Sequence, residues 1–411
     1  MISTNYSAPA EMKRLQAIAL VVGVLGVVGL IAGGLSNHEQ AFRAFLLGYI
    51  FWVGLSIGSL GLLLLQYVTG GFWGVASRRI LEASTRTLLP MAALFVVIIV
   101  GLKDIYLWAD PAMVKGDKVL EWKAPFLSPK FFILRAAFYF LIWGVITYFL
   151  NKWSRKQDQQ GDHGLALWLS RFSGPSLVIF CLVTSFAAID WVMSLDPHWA
   201  STIFGLIFLV NWALTCLAFT IAMMSWLAGR APMNDFYGPP HFHDLGKLML
   251  AVVMLWAYFS FSQFLLIWSA NLPEETKWYI TRMSNGWGIV AFIVLILHFA
   301  LPFLLLLNRN LKKNSRTLVM VAGWLLLMRF VDLYWLIGPT AGLRSEGHGL
   351  PHFKLNWMDF VAPLAVGGLW LTYFFWQLAS RPLLPENDPH FAQSLAHGKK
   401  GDHEHLIEFS E

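Results

Sequence analysis

Ten mostly apolar stretches, each about 20 residues long or more, divide this sequence, and that length crosses the core of a bilayer. They cover residues 15–36, 44–68, 88–109, 131–150, 174–194, 201–228, 247–270, 286–308, 317–338 and 357–379. A helix satisfies its backbone hydrogen bonds internally, so repeated apolar runs of this length predict spanning helices. We therefore expect an all-α polytopic membrane protein, with an N-terminal segment at 1–14, one transmembrane domain at 15–380 and a tail at 381–411.

The composition agrees with that class and narrows the chemistry. Hydrophobic residues make up 57% of the chain and charged residues 13%, which is outside the usual range of soluble domains. The two cysteines, Cys181 and Cys216, lie inside apolar runs, so we expect neither a disulfide framework nor a thiolate-ligated cluster. His298 is the only histidine deep within a span, so we also expect no haem on this chain. The first apolar stretch is longer than a signal peptide's and is predicted to be retained.

The distribution of basic residues predicts the orientation. Counting Lys247 at the edge of the seventh stretch, lysine and arginine number 18 in the N-terminus, the loops after even-numbered stretches and the C-terminal tail, against 9 in the loops after odd-numbered stretches. Positively charged loops stay in the cytoplasm. We therefore expect both termini to be cytoplasmic and the odd-numbered spans to run outward.

Three outward-running spans end with the same pattern, an aspartate seven residues before a proline. The pairs are Asp104 with Pro111, Asp190 with Pro197, and Asp332 with Pro339. Seven residues are two helical turns, roughly 10 Å, so each carboxylate is predicted to lie inside the outer rim of the membrane. A carboxylate on a spanning helix is costly and normally faces a polar interior or serves a pathway. The alternative is that each aspartate only bonds neighbouring helices.

Other polar residues are predicted at compatible depths. Two prolines, Pro302 and Pro363, remove the backbone hydrogen bonds to the carbonyls of His298 and Asp359. Each free carbonyl, beside a titratable side chain, favours the binding of water or a ligand within the membrane. We expect Asp104, Asp190, Asp332 and His298 to be candidates for proton transfer. The candidates for a quinone headgroup or polar cluster are Lys103, Trp191, Gln263, Arg329, Tyr334 and Asp359. Arg135 is predicted about one turn inside the fourth span. No metal site is predicted.

Two further patterns concern packing. The segment 70–87 contains three arginines and is predicted to lie at the interface with its arginines toward lipid headgroups. Glycines recur on the first span, and Gly54 with Gly58 forms a GxxxG motif on the second, which predicts close helix approach.

Four segments of the chain resemble a known family. They are "FAAIDWVMSLDPHWASTIFG" (186–205), "WAYFSFSQFLLIWSANLPEETKWYITR" (256–282), "MRFVDLYWLIGP" (328–339) and "HFKLNWMDFVAPLAVGGLW" (352–370). They are similar to NrfD-like membrane subunits of alternative complex III. The similarity is to the second of the two such subunits in that complex, which is of ActF type. The resemblance covers nearly the whole membrane region. It implies two four-helix bundles, spans 2–5 and 6–9, flanked by spans 1 and 10.

The resemblance also implies a function and partners. The chain is expected to be a membrane subunit of a quinol-oxidising complex that passes electrons to cytochrome c or a partner oxidase. It is expected to contribute a quinone-interacting site, with quinone or menaquinone, or a proton-transfer route in the periplasmic half. Expected partners are a second NrfD-like subunit, an iron–sulfur protein, multihaem and monohaem cytochromes, small membrane subunits and a terminal oxidase, with haem and iron–sulfur clusters on those chains. The expected location is the bacterial cytoplasmic (inner) membrane, and the chain is not expected to be catalytic alone.

Two other readings stay open from the sequence. Ten spans with internal repetition, buried charges and proline-broken helices also suit a secondary transporter. The third reading is a non-catalytic scaffold of the same complex, in which the polar residues only hold helices together.

Overall fold

A computed structural model describes residues 6–160, 163–340 and 350–407, and within these ranges the regular structure is helical, without strands. Ten of the helices are long and apolar enough to span a membrane. They are α1 (Glu11–Ser36), α2 (His38–Thr69), α3 (Phe72–Val100), α4 (Pro129–Gln159), α5 (Gly164–Leu195), α6 (Phe204–Ala228), α7 (Pro239–Ala270), α8 (Trp287–Leu307), α9 (Ser315–Thr340) and α10 (Met358–Ala379). The prediction of an all-α polytopic membrane protein is confirmed.

The third span lies elsewhere than the sequence predicted. The predicted range was 88–109, whereas α3 begins at Phe72 and ends at Val100. Its first half carries polar residues that hydropathy does not count as membrane, but those residues are buried against neighbouring helices. The predicted interfacial segment 70–87 is therefore wrong. Its arginines Arg78 and Arg79 are only 2% and 3% exposed and pair with carboxylates inside the protein.

The spans form two groups joined through α2 and α6. Helix α2 packs against α3 and α5, α4 packs against α3 and α5, and α6 packs against α7 and α9, with α8 between α7 and α9. Helices α2 and α6 contact each other, while α1 and α10 pack together and α10 also covers α2. Helix α2 is the central element, because 83% of its most apolar window is buried, against 22% for α1.

Small residues bring these helices close together. A Cβ atom added to Gly58 would lie 2.2 Å from the carbonyl oxygen of Trp212 on α6, so the α2–α6 approach requires glycine. On α1, an added Cβ at Gly26 would lie 2.7 Å from the backbone of Ala365 on α10. The glycine motifs predicted from the sequence are thus the contact points of two helix pairs.

The first described residues and the segment after α10 lie at the same face of the bundle. The backbone N–H of Leu383 donates to the carbonyl of Tyr6 at 2.8 Å, and the Tyr6 ring packs against Phe391. We call this end the terminal face; it also carries the short helices Arg309–Lys313 and Phe391–Ile407. The other end is the distal face, with the short helices Lys118–Lys123 and Pro273–Met283.

Candidate functional site

The polar residues predicted for the outer half of the membrane lie toward the distal face, where they form separate groups. The first group is centred on Asp190, near the distal end of α5, which is 1% exposed. Arg135 of α4 donates to both of its carboxylate oxygens, at 2.6 and 3.0 Å. Tyr139, one turn further along α4, donates its hydroxyl at 2.6 Å. Asp190 is thus held in a two-pronged ion pair with a third donor.

Arg135 is itself fixed from the distal side. Its remaining guanidinium nitrogen donates to the carbonyl of Phe126 at 2.9 Å, and the guanidinium lies 3.9 Å from the centre of the Phe126 ring. Arginine and carboxylate in this geometry satisfy each other's charge and hydrogen bonds. The group around Asp190 therefore needs no further ligand, which favours a role in joining α4 to α5.

The second group lies between α7, α8 and α9. Arg329 and Asp332 stand three residues apart on α9, both 3% exposed, and form an ion pair. His298 of α8 is fully buried beside them, with its ring centre 4.3 Å from that of Trp256 on α7. Neither ring nitrogen of His298 has a hydrogen-bond partner among the described residues. This buried group therefore contains a titratable side chain whose polar atoms are unused.

The backbone around His298 is also irregular. Residues Val294–Ala300 form a π-helical segment inside α8, which ends two residues before Pro302. The proline cannot donate a backbone hydrogen bond, and a wider turn is one way to accommodate that loss. From α9, Trp324 donates its indole N–H to the carbonyl of Leu297 at 2.8 Å. Such segments are frequent at functional sites.

The third group surrounds Asp359 in the first turn of α10. Gln40 of α2 donates to its Oδ1 at 2.8 Å, and the hydroxyl of Tyr334 on α9 lies 3.3 Å from its Oδ2. The backbone N–H of Asn356 donates to the same Oδ2 at 3.0 Å. A cavity of about 70 Å³ opens beside these side chains, with Arg43 also in its wall. Its volume is that of about two water molecules.

An apolar groove lies one helical turn deeper between the same three helices. Its volume is about 350 Å³, and its walls are hydrophobic throughout, unlike those of the Asp359 cavity. The lining residues are Phe51, Trp52, Leu55, Phe219, Leu326, Leu327, Phe330, Phe360, Pro363 and Leu364. Several of them, including Leu327 and Phe360, are half exposed on the lipid-facing surface. The groove is thus open on the apolar outer surface of the bundle and ends near the level of the Asp359 cavity, with which it shares no lining residue.

The remaining predicted residues are placed apart from these groups. Gln263 accepts from Ser201 at 2.9 Å and donates to Tyr279 at 3.2 Å, so it joins α7 to two loops. Trp191 is fully buried among aromatic rings, including Phe140 and Phe95.

The prediction that Asp104 lies inside a span is wrong. Helix α3 ends at Val100, and Asp104 lies in the short helix Leu102–Ile105, with its Oδ1 3.4 Å from Nε2 of His38. Lys103 is exposed next to it. The break follows Gly101, where an added Cβ would collide with the Phe42 ring.

The sequence analysis missed two features. Gln40 and Arg43 begin α2 and line the Asp359 cavity; their i, i+3 spacing on one helix face was the available signal. Arg282, in the helix Pro273–Met283, is 2% exposed and donates to the carbonyl of Leu336 at 2.7 Å. Burial lowers the pKa of the Arg282 guanidinium to about 9. The only signal in the sequence for this buried cation was the mixture of aromatic and charged residues in the segment Pro273–Met283.

Fold and site together define the class: a multi-pass, all-α integral membrane protein with buried charge at both ends of its bundle. Within the described residues, no group of three or more histidine, cysteine, aspartate or glutamate side chains is placed to hold a metal ion. In comparison with known proteins, no family model matches the chain, and no curated protein matches it either.

Proposed function

We propose that the chain is a quinone-interacting membrane subunit of a quinol-oxidising electron-transfer complex, of the alternative complex III type. One observation carries the proposal: an apolar groove of about 350 Å³ ends one turn below a polar cavity containing a carboxylate. A membrane quinone has an apolar isoprenoid tail and a polar ring, so it needs these two environments in this order. The groove volume is within the range of ligand sites.

The chemistry of the cavity suits the polar edge of such a ring. Quinol oxidation releases two protons and two electrons, so a proton acceptor and hydrogen-bond donors must meet the ring oxygens. Asp359 would accept a proton, while Gln40 and Tyr334 already point polar atoms at its carboxylate and would bind the ring oxygens. The electrons would pass to an iron–sulfur protein and to cytochrome subunits, which supply the redox centres.

His298 is the proposed next proton carrier, since it is buried and both ring nitrogens are unused. The ion pair Arg329–Asp332 lies beside it, and the Asp332 carboxylate is the acidic group of this cluster. Asp190 is less suited to carry protons because Arg135 and Tyr139 satisfy its carboxylate.

Photoaffinity labelling tests the quinone proposal. We expect an azidoquinone added to the purified complex to label peptides of α9 and α10, and Leu327→Trp, which fills the groove, to reduce labelling at least tenfold. Leu304→Trp is the matched control, because Leu304 is a 63% exposed residue of α8 that lies outside the groove lining. Equal labelling of the wild-type protein, Leu327→Trp and Leu304→Trp, or labelling confined to spans other than α9 and α10, would refute the proposal.

A scaffold role in the same complex is the second candidate, favoured by the complete pairing of Asp190. Co-purification separates the readings. Both complex-based readings require the tagged chain to co-elute with haem- and iron–sulfur-containing subunits. A scaffold would show unchanged quinol oxidation with Asp359→Asn, whereas a quinone site would lose most of it. A chain that elutes alone and supports solute uptake would indicate a transporter instead.

A further inference from the structure

Helix α4 carries a continuous line of polar side chains that the proposed quinone site does not use. From the distal end it runs through Tyr139, Trp143, Thr147, Asn151 and Ser154, and it finishes at Gln157 and Asp158 near the terminal face. The spacing is four, four, four, three, three and one, so these residues share one helix face. Except for Asp158, which is 22% exposed, these side chains are buried. A buried polar line across a lipid-facing helix must be matched by its neighbours.

Helix α3 matches the terminal half of the line. The hydroxyl of Ser154 donates to Glu82 at 2.5 Å, and the amide of Asn151 donates to Thr85 at 3.2 Å. Arg79 lies between the helices and pairs with both Glu82 and Asp158. The polar residues in the first half of α3, which the sequence predicted to lie at the membrane interface, therefore face the polar line of α4.

Helix α5 forms the third wall. The indole N–H of Trp143 donates to the hydroxyl of Thr184 at 3.2 Å. Because α5 runs antiparallel to α4, counting from this pair places Ser176 opposite Asn151 and Ser173 opposite Ser154. Both serines are buried.

Four atoms along this line have unused hydrogen-bonding capacity. They are Thr147 Oγ1, Asn151 Oδ1, Gln157 Nε2 and Ser173 Oγ, each buried and without a partner among the described residues. Buried polar atoms are nearly always satisfied, and ordered water is the usual partner when protein atoms are not. A single such atom would be an exception, but four on facing helix surfaces indicate one shared environment.

We propose that α3, α4 and α5 enclose a hydrated path that admits water and protons from the terminal face to Thr147, near the middle of the membrane. Asp158 stands at its entrance and Glu82 lies buried behind it, where Arg79 and Arg381 balance their charge. The inner end is closed by Trp143 and the aromatic rings that pack against it, including Tyr139 and Trp191. The path belongs to a different helix group from the Asp359 cavity and stands independently of the proposed quinone site.

Cysteine reactivity measures hydration directly, since only the thiolate attacks a thiosulfonate and a thiol in a dry apolar site stays protonated. The test uses the full chain in detergent with Thr147→Cys, Asn151→Cys and Ser173→Cys. The probe is methyl methanethiosulfonate, a small neutral reagent whose attack by the thiolate forms a methyl disulfide and releases methanesulfinate. Residue-specific mass spectrometry gives each rate. Native Cys216, which is fully buried on α6, is the internal control in every sample.

We expect all three introduced cysteines to react at least tenfold faster than Cys216. Their rates should rise about tenfold per unit of external pH below the thiol pKa, because a hydrated thiol exchanges protons with the solvent. Thr147→Cys and Ser173→Cys change little in volume, and an unchanged elution profile checks their fold. Rates at all three positions as low as that of Cys216, or a reactive Asn151→Cys beside an inert Thr147→Cys, would overturn the proposal.

Discussion

Asp190 and Asp332 show how differently two similar residues can be used. Both lie near the distal end of a span and seven residues before a proline, but Asp190 pairs across two helices with Arg135 and Tyr139. Asp332 pairs within α9, beside a histidine with unused nitrogens. The two therefore call for different experiments.

Replacing Arg135 by leucine should destabilise the protein strongly. The change leaves the Asp190 carboxylate buried without its cation, and breaking a buried pair in this way costs about 3 to 5 kcal/mol. We expect the low end of that range because the Arg135 side chain is 18% exposed. The measurement is unfolding of the purified protein in detergent. The double variant Arg135→Leu/Asp190→Leu should lose less than Arg135→Leu alone, and strictly additive losses would contradict the pairing.

Replacing His298 by leucine should leave stability unchanged or raise it. An unsatisfied buried polar group costs about 1 to 3 kcal/mol, and leucine removes two such nitrogens from the site. Arg329→Met, which strands the Asp332 carboxylate, is the contrasting variant and should lower the unfolding midpoint sharply. If His298→Leu lowered the midpoint as much as Arg329→Met, the histidine would be a structural residue rather than a proton carrier.

Sequence reasoning at this scale located charges but not their partners. The i, i+3 spacing of Arg329 and Asp332 predicts their ion pair, because one helix fixes both residues. The pairing of Asp190 with Arg135 joins α4 to α5, and the Asp359 group joins α2, α9 and α10. Contacts of that kind depend on helix rotation and packing, which hydropathy and spacing do not encode.

Among whole helices, the α2–α6 contact is the most tightly constrained by small residues. Gly58→Ala would place a methyl group 2.2 Å from the Trp212 carbonyl oxygen, so the helices must separate. Overpacking of this kind costs about 1 to 3 kcal/mol. The matched control is Gly144→Ala on α4, where nothing lies within 4 Å of the added carbon. We expect the control to keep or improve its thermal midpoint, and equal effects would argue against the contact.

The loops of the distal face are linked by a pH-sensitive pair. Nε2 of His198 lies 2.6 Å from Oδ2 of Asp117. Burial acts to raise the pKa of Asp117, but hydrogen bonds from His198 and from the backbone of Leu120 outweigh it and lower the pKa. A lowered carboxylate pKa means that the stabilisation is present above about pH 4, the ordinary pKa, and is lost as the pH falls through the folded value.

We therefore expect the fluorescence of Trp122, on the Lys118–Lys123 helix beside Asp117, to change on acidification below about pH 4. Trp122→Phe supplies the difference spectrum. Asp117→Asn should abolish the transition, because the amide does not titrate, and a variant that retained it would exclude this pair as the cause.

The spans themselves were largely predictable, and α3 shows where the prediction ended. Nine spans overlap their predicted ranges closely because apolar length alone defines a bilayer crossing. The first half of α3 was missed since its arginines and Glu82 are satisfied by α4 and the C-terminal segment. A hydropathy average includes the free-energy cost of burying those charges, but it does not include the ion-pair partners that offset this cost.

At the scale of the whole molecule, the C-terminal segment closes the terminal face. Asp388 pairs with Arg78 at 2.7 Å, Arg381 approaches Glu82 at 3.6 Å, and Ser394 hydrogen-bonds to His241 of α7. This segment thus supplies counter-charges for Arg78 and Glu82, which are buried in α3, and bridges both helix groups.

Truncation after Ser380 should therefore destabilise the whole bundle by about 3 kcal/mol or more, because Arg78 loses its buried partner. Truncation after Lys399 keeps all of these contacts and is the control. Unfolding midpoints of the two shortened chains and the full chain decide the matter. Indistinguishable midpoints would show that the segment is an appendage rather than part of the fold.

The packing of α1 and α2 against α10 also sets the order in which this protein can be completed. The first two spans are completed about 300 residues before their partner is made, a delay of roughly 15 to 60 s at common rates of synthesis. During that time the glycine surface of α1 and the face of α2 that α10 covers lack their final protein neighbour. The nascent chain must be held by the insertion machinery or by lipid until the last span arrives, so slowed translation near the 3′ end of the message should favour its degradation.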